Sequence, residues 1–128
     1  MTDRTEGAVS PEDREKILAS ARDYIEGWLD GDADRMARCM HLALIKREAL
    51  ADDPSAASIT RDQMVEATQA GRGTKLERPY SVKLLDAFGD IATVSVFSSA
   101  YMDYLHLARS GDEWLLLNVL WQRRTSSS

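Results

Sequence analysis

The 128-residue chain has a single cysteine, Cys39, so no internal disulfide can form, and a reducing, cytoplasmic compartment is expected. No segment combines a basic start, an apolar run and a small-residue cleavage site, and no apolar run approaches the ~18 residues of a membrane-spanning helix. Positive charge is also scarce. With 16 Lys and Arg against 21 Asp and Glu the formal charge is -5, which repels phosphate backbones and anionic membrane surfaces. Neither nucleic acid nor membrane is therefore expected as a partner. A phosphate-cradling glycine loop, a dinucleotide fingerprint, a Gly-x-Ser-x-Gly elbow and zinc-ligand spacing are all missing, so no cofactor, no metal and no nucleotide-driven chemistry is expected.

What is present suits one packed domain. The hydrophobic share of 44% beside 29% charged residues is ordinary for a folded protein, and the length suffices to bury a core without staples. Residues 1–9 lack periodicity and are expected to be a disordered tail, with the domain over 10–124 and a second tail at 125–128. Ser10 as cap, Pro11 at the first helical position and Asp13 three residues on predict a helix start. Ile17, Ala21, Tyr24 and Trp28 then recur at helical spacing. Gly31 can end that helix in the left-handed conformation, and Asp32 can cap a second one carrying Ala33, Met36, Ala37 and Met40 inward. Leu42 to Leu50 reads as a short strand or irregular passage, and residues 52–55 as a loop.

Thr60 with Gln63 forms a capping box for a third helix, stopped by the glycines at 71 and 73. The period then changes to 2. Tyr80 to Phe88 reads as a strand, Gly89-Asp90 as a hairpin turn, Ile91 to Ala108 as one long strand, Ser110-Gly111-Asp112 as another turn, and Glu113 to Arg123 as the last strand. Helices first and strands last predict an α+β fold, three N-terminal helices gathered on one face of an antiparallel sheet. In the last strand Trp114, Leu116, Asn118 and Leu120 alternate with Leu115, Leu117, Val119 and Trp121, so both faces are apolar. A second copy of the chain packed sheet to sheet, a homodimer, is the expected cover.

Asp103 stands in an apolar strand, in phase with Leu105 and Leu107. A carboxyl facing the core has its charged form disfavoured and can donate a proton or a hydrogen bond; at the sheet edge it would instead pair with a backbone amide or an arginine. His41, after the second helix, suits a general base or a cap on that helix's C-terminus. His106 lies on the opposite strand face from Asp103. Tyr24, Trp28, Tyr101, Trp114 and Trp121 are enough aromatics to line a pocket, and each also suits core or interface. Arg47 can neutralise an anionic ligand or form a surface ion pair. Cys39 reads as a buried structural thiol.

The run Tyr24-Ile25-Glu26-Gly27-Trp28-Leu29-Asp30-Gly31-Asp32, with Met36, Met40-His41 and Lys46-Arg47, resembles the first half of the putative lumazine-binding family. Asp103-Tyr104-Leu105-His106-Leu107, with Gly111, Trp114 and Asn118-Val119-Leu120-Trp121, resembles its C-terminal hairpin. The likeness covers roughly residues 11–123. It differs at His41, which Leu42 and Ala43 follow where members of the family usually read His-Pro. The family belongs to the nuclear transport factor 2-like superfamily, cone-shaped domains that include SnoaL-like cyclases, ketosteroid isomerase and scytalone dehydratase. The resemblance implies a cone-shaped fold enclosing an apolar, aromatic pocket for a small aromatic or heterocyclic ligand. Asp103 and His41 would be its polar anchors, lined by Tyr24, Trp28, Arg47, Tyr101, Trp114 and Asn118. Ketosteroid isomerase has an aspartate at a similar offset before its last hairpin, kept protonated by an apolar site. Its base is a carboxylate on the helical side, where Met40 to Glu48 offers only His41 and Glu48. Two further readings follow from the superfamily: a cofactor-independent isomerase, cyclase or dehydratase acting by proton transfer, and a dimeric interaction module whose cone is filled by side chains.

Overall fold

A computed structural model describes residues 4–49, 52–53 and 57–124. The expected C-terminal tail at 125–128, the first three residues of the N-terminal tail, and Pro54 and Ser55 of the expected loop lie outside the described residues.

Helix α1 spans Pro11–Asp30, and its start and stop are those the sequence predicts. The Ser10 hydroxyl accepts from the Asp13 amide at 3.0 Å, and Gly31 closes the helix at φ 67°, a left-handed conformation that an L side chain rarely adopts. Its apolar stripe of Ile17, Ala21, Tyr24, Ile25 and Leu29 is buried. Helix α2, Ala33–Cys39, is capped by Asp32 and buries Met36 and Cys39. Met40, expected at its inner face, instead opens strand β1, Met40–Glu48, and is buried there. After the two-residue strand β2, Ile59–Thr60, helix α3 covers Arg61–Gln69 behind a complete Thr60–Gln63 capping box.

Four further strands follow: β3, Tyr80–Phe88; β4, Ile91–Ser98; β5, Tyr101–Ser110; and β6, Glu113–Arg123. The long strand expected over Ile91 to Ala108 is thus two strands, folded back at Ser99 and Ala100 so that Val96 faces Asp103 and Phe97 faces Met102. Nothing in that stretch carries a Gly, Pro or Asn turn signal, and the serine pair alone marks the corner. The six strands form one sheet in the order β2-β1-β6-β5-β4-β3. It is mixed rather than purely antiparallel, because β1 reaches the sheet from the helical layer and pairs parallel to β6. The core lies between this sheet and α1, with Val94, Leu105, Leu107, Trp114 and Leu116 beneath Ile17 and Ala21.

Two bulges decide which side chains face inward. In β6, Leu107 pairs with Leu116 while His106 pairs with Asn118, which leaves Leu117 as an extra residue. The alternation therefore changes phase: Trp114 and Leu116 are buried before the bulge, and Val119 is buried after it. Much of the two-faced apolar pattern of this strand is that phase change. In β1 the pairing passes from Met40 with Leu116 to Ile45 with Asn118, so the strand arches outward just after Met40 and Leu42 is exposed. Beyond the arch, Leu44 and Lys46 point inward and Arg47 outward.

Part of the expected N-terminal tail is held. The Gly89 amide donates to the Gly7 carbonyl at 2.7 Å, Arg4 pairs with Asp86, and Val9 packs against the core.

Candidate functional site

The inward phase of two strands and one helix brings three polar side chains together in the layer between sheet and helices. Asp103 of β5 is 5% exposed, between Val96 and Trp121 on the neighbouring strands. Lys46 of β1 is 9% exposed and Tyr24 of α1 is 3% exposed. The Lys46 ammonium donates to Tyr24 Oη at 2.7 Å, and that hydroxyl donates to Asp103 Oδ2 at 2.6 Å. Lys46 Nζ lies 3.9 Å from the same carboxylate oxygen. The three groups form a short relay from ammonium through hydroxyl to carboxylate.

Aromatic rings close around its cationic end. Lys46 Nζ lies 5.2 Å from the Tyr24 ring centroid, 5.3 Å from that of Trp121 and 5.9 Å from that of Trp28. Ring faces attract a cation. Tyr101 meets Trp121 edge-on, centroids 5.1 Å apart. Gly73 packs so close to Trp28 that a Cβ there would stand 2.5 Å from the Trp28 carbonyl and 2.6 Å from its ring, so only glycine lets the chain after α3 hold that ring in place.

Burial sets the electrostatics. It pushes the Asp103 carboxyl above the usual carboxylate range, against the pull of Lys46 and of the Tyr24 hydrogen bond. Burial likewise lowers Lys46, with Asp103 opposing. The Tyr24 phenol is raised well above its ordinary value, by burial first and then by the Asp103 charge and hydrogen bond. Desolvation thus narrows the gap between the acid and the amine at either end of the relay, which favours a proton passing between them.

These groups open into a cavity of about 790 Å³. Its wall includes Tyr24, Trp28, Lys46, Tyr101, Asp103 and Trp121, with Ile59 and Met64 from the β2–α3 side and Arg72 and Arg123 among the charged members. The indole N–H of Trp121 is buried and has no hydrogen-bond partner among the described residues. A buried donor left unpaired is uncommon, and an acceptor on a bound molecule would satisfy it.

Of the residues singled out for the pocket in the sequence, Tyr24, Trp28, Tyr101, Asp103 and Trp121 meet in this cavity. The other four lie elsewhere. His41 sits at the arch of β1, its Nδ1 accepting from the Ala43 amide at 2.9 Å. Arg47 is on the outer face because the strand period gives the inner place to Lys46. Trp114 is fully packed in the core with Nε1 donating to Asp13 at 3.2 Å, and Asn118 is exposed on the outer face beside His106. Lys46 is the residue that sequence reasoning missed. Its signal was the spacing from Leu44, the inward residue two positions earlier, hidden by the irregular start of the strand. Glu48 pairs with Arg123 at 3.3 Å. Cys39 is buried, donates to the Met36 carbonyl at 3.3 Å, and has its thiol pushed up to about 12 by burial, which suits packing rather than nucleophilic chemistry.

Among the described residues no group of three or more His, Cys, Asp or Glu side chains is placed to hold a metal ion, and no helix is long and apolar enough to cross a membrane.

The sequence profile described as putative lumazine-binding matches residues 12–122. Among solved structures, the chain is similar to an NTF-2 like protein of unknown function from Silicibacter pomeroyi DSS-3, at 15% identity over 91% of this chain and 100% of the other, with a TM-score of 0.74. A ketosteroid isomerase-like protein from Erwinia carotovora atroseptica SCRI1043 superposes with a TM-score of 0.66 at 12% identity, covering 91% and 100% of the two chains. A domain of unknown function with a cystatin-like fold from Nostoc punctiforme PCC 73102 gives 0.67 at 12% identity, covering 92% and 81%. At these identities the likeness is one of fold. No curated protein matches the chain.

Proposed function

The chain belongs to the putative lumazine-binding family of nuclear transport factor 2-like domains, and from that premise we propose that it binds a small aromatic or heterocyclic molecule in the cavity above Lys46, Tyr24 and Asp103. The observation that carries this reading is the juxtaposition of a buried polar relay with an open space walled by Trp28, Tyr101 and Trp121. A flat ring suits the aromatic walls, and a carbonyl or ring nitrogen suits the donors, Lys46 Nζ and the unpartnered Trp121 indole. Apolar walls with a few convergent polar groups are the usual make-up of small-molecule sites. A cavity of this volume speaks against an interaction module with a filled cone. On the outer face Phe97, Tyr104 and Leu120 are exposed, which supports pairing of two copies through the sheet.

One observation favours a second reading, proton transfer on the bound molecule. Burial moves Lys46 and Asp103 toward each other in proton affinity, and Tyr24 bridges them. Such a relay can take a proton from one atom of a ring substrate and return it at another without a cofactor. His41 does not line the cavity, so the groups available for this are the three of the relay.

Native mass spectrometry of the protein purified from cells, joined to thermal-shift assays with lumazine, pterins, flavins and aromatic polyketides, tests the binding reading. A retained small molecule or a saturable shift is expected; a chain with nothing bound and no shift across the panel overturns it. Unchanged affinity with lost turnover in Asp103→Asn would support the proton-transfer reading.

A further inference from the structure

We propose that Lys46 is a nucleophile and that the cavity takes carbonyl compounds, aldehydes or ketones on a flat ring, by forming an imine at Nζ. The inference rests on the ligand-binding reading above and names the ligand's reactive group. Three features carry it. Lys46 Nζ reaches the floor of a cavity of about 790 Å³ rather than bulk solvent. It is hydrogen-bonded at 2.7 Å to a hydroxyl that is itself 2.6 Å from a carboxylate, so the amine has a built route for shedding and recovering a proton. The remaining lysines, Lys16, Lys75 and Lys83, are half-buried or exposed and have no such route. A lysine in an apolar pocket is the ordinary means by which proteins obtain a neutral amine near pH 7, and burial acts on Lys46 in that direction.

The steps balance within the relay. A proton leaves Nζ for Tyr24 Oη as the Tyr24 proton passes to Asp103, giving a free amine and a neutral carboxyl. The amine adds to the carbonyl carbon. As the new C–N bond forms, the carbonyl oxygen receives a proton from Tyr24, which is refilled from Asp103. The resulting carbinolamine carries a positive nitrogen beside the Asp103 carboxylate. One N–H proton then moves through Tyr24 and Asp103 to the hydroxyl, the C–O bond breaks, and water leaves. The product is a protonated imine with Asp103 as its counter-ion. No oxidant or reductant is consumed.

The test is reductive trapping of the whole protein at pH 7 with 2-naphthaldehyde and sodium cyanoborohydride, mapped by peptide mass spectrometry. The adduct is expected on Lys46 at a rate at least about tenfold above Lys16, Lys75 and Lys83, because burial favours the free amine at this lysine. Lys46→Arg, which keeps the cation, should lose that adduct. The matched alcohol, 2-naphthylmethanol, cannot form an imine and reports binding alone through a thermal shift. If the alcohol raises the Tm while Lys46 is labelled no faster than the other lysines, the imine inference is overturned and the binding reading stands. If the alcohol gives no shift and Lys46 is not labelled, the imine inference is overturned, and the binding reading is decided by the panel above.

Discussion

On the inner face of the sheet Lys46 and Asp103 are buried with Tyr24 between them, whereas one residue along the same strands, on the outer face, Arg47 and Tyr104 lie open to solvent beside Leu120. The inner face thus hides charge and the outer face exposes apolar surface, the reverse of what burial by residue type would give. Each inversion has its own cause. Inside, charge is tolerated because each group has a partner and three rings surround the ammonium. Outside, Phe97, Tyr104 and Leu120 form an apolar surface of the kind that a second copy would cover.

The comparison can be broken most sharply at Lys46. Lys46→Ala leaves Asp103 buried without its cation and should destabilise the fold by about 3–5 kcal/mol in urea unfolding. Arg47→Ala, its neighbour on the outer face, should change stability by no more than about 0.5 kcal/mol. Equal effects at the two positions would remove the distinction between the faces. Tyr24→Phe keeps the ring and removes the bridging hydroxyl, and about 1.5–3 kcal/mol is expected, as for hydrogen bonds to charged groups.

Stability against pH gives a smaller effect of known sign. Lys46 binds its proton less tightly in the folded chain than the ordinary 10.5. Between its lowered folded value and 10.5 the unfolded chain therefore holds more protons, and stability rises with pH. Asp103, raised above 3.8, acts oppositely: between 3.8 and its folded value the native chain holds the extra proton, and stability falls as pH rises. Urea unfolding across pH should show the alkaline rise in the wild type and not in Lys46→Met. Asp103→Asn should lose the acid-side fall and, with its attraction gone, lower Lys46 further and widen the alkaline window. Superimposable curves would mean that neither group is perturbed by the fold. On the outer face, Leu120→Glu should leave monomer stability within about 0.5 kcal/mol and convert a dimer to monomer in sedimentation velocity; sedimentation that stays unchanged would refute pairing through this surface.

How much of this could be read from the chain depended on local signals. Helix ends were legible because Ser10, Gly31, Asp32 and the Thr60–Gln63 box act within one turn. Asp103 was legible because β5 is regular, so its phase with Leu105 and Leu107 fixes its face. The arch after Met40 and the extra Leu117 were not, since a bulge shifts the period without a distinctive residue type. That is why Arg47 and Asn118 were placed at the pocket and Lys46 was overlooked. The turn at Ser99–Ala100 and the parallel pairing of β1 with β6 depend on contacts distant in sequence, which periodicity does not report.

Whether the cavity above Lys46, Tyr24 and Asp103 is a binding site is tested most directly by calorimetric titration of the wild type and of Asp103→Asn with lumazine and a pterin. Saturable binding to the wild type, weakened at least about tenfold or roughly 1.4 kcal/mol by Asp103→Asn, is the predicted result. No saturable heat with either heterocycle would contradict it, and an affinity indifferent to Asp103→Asn would leave the cavity only its proton-transfer reading.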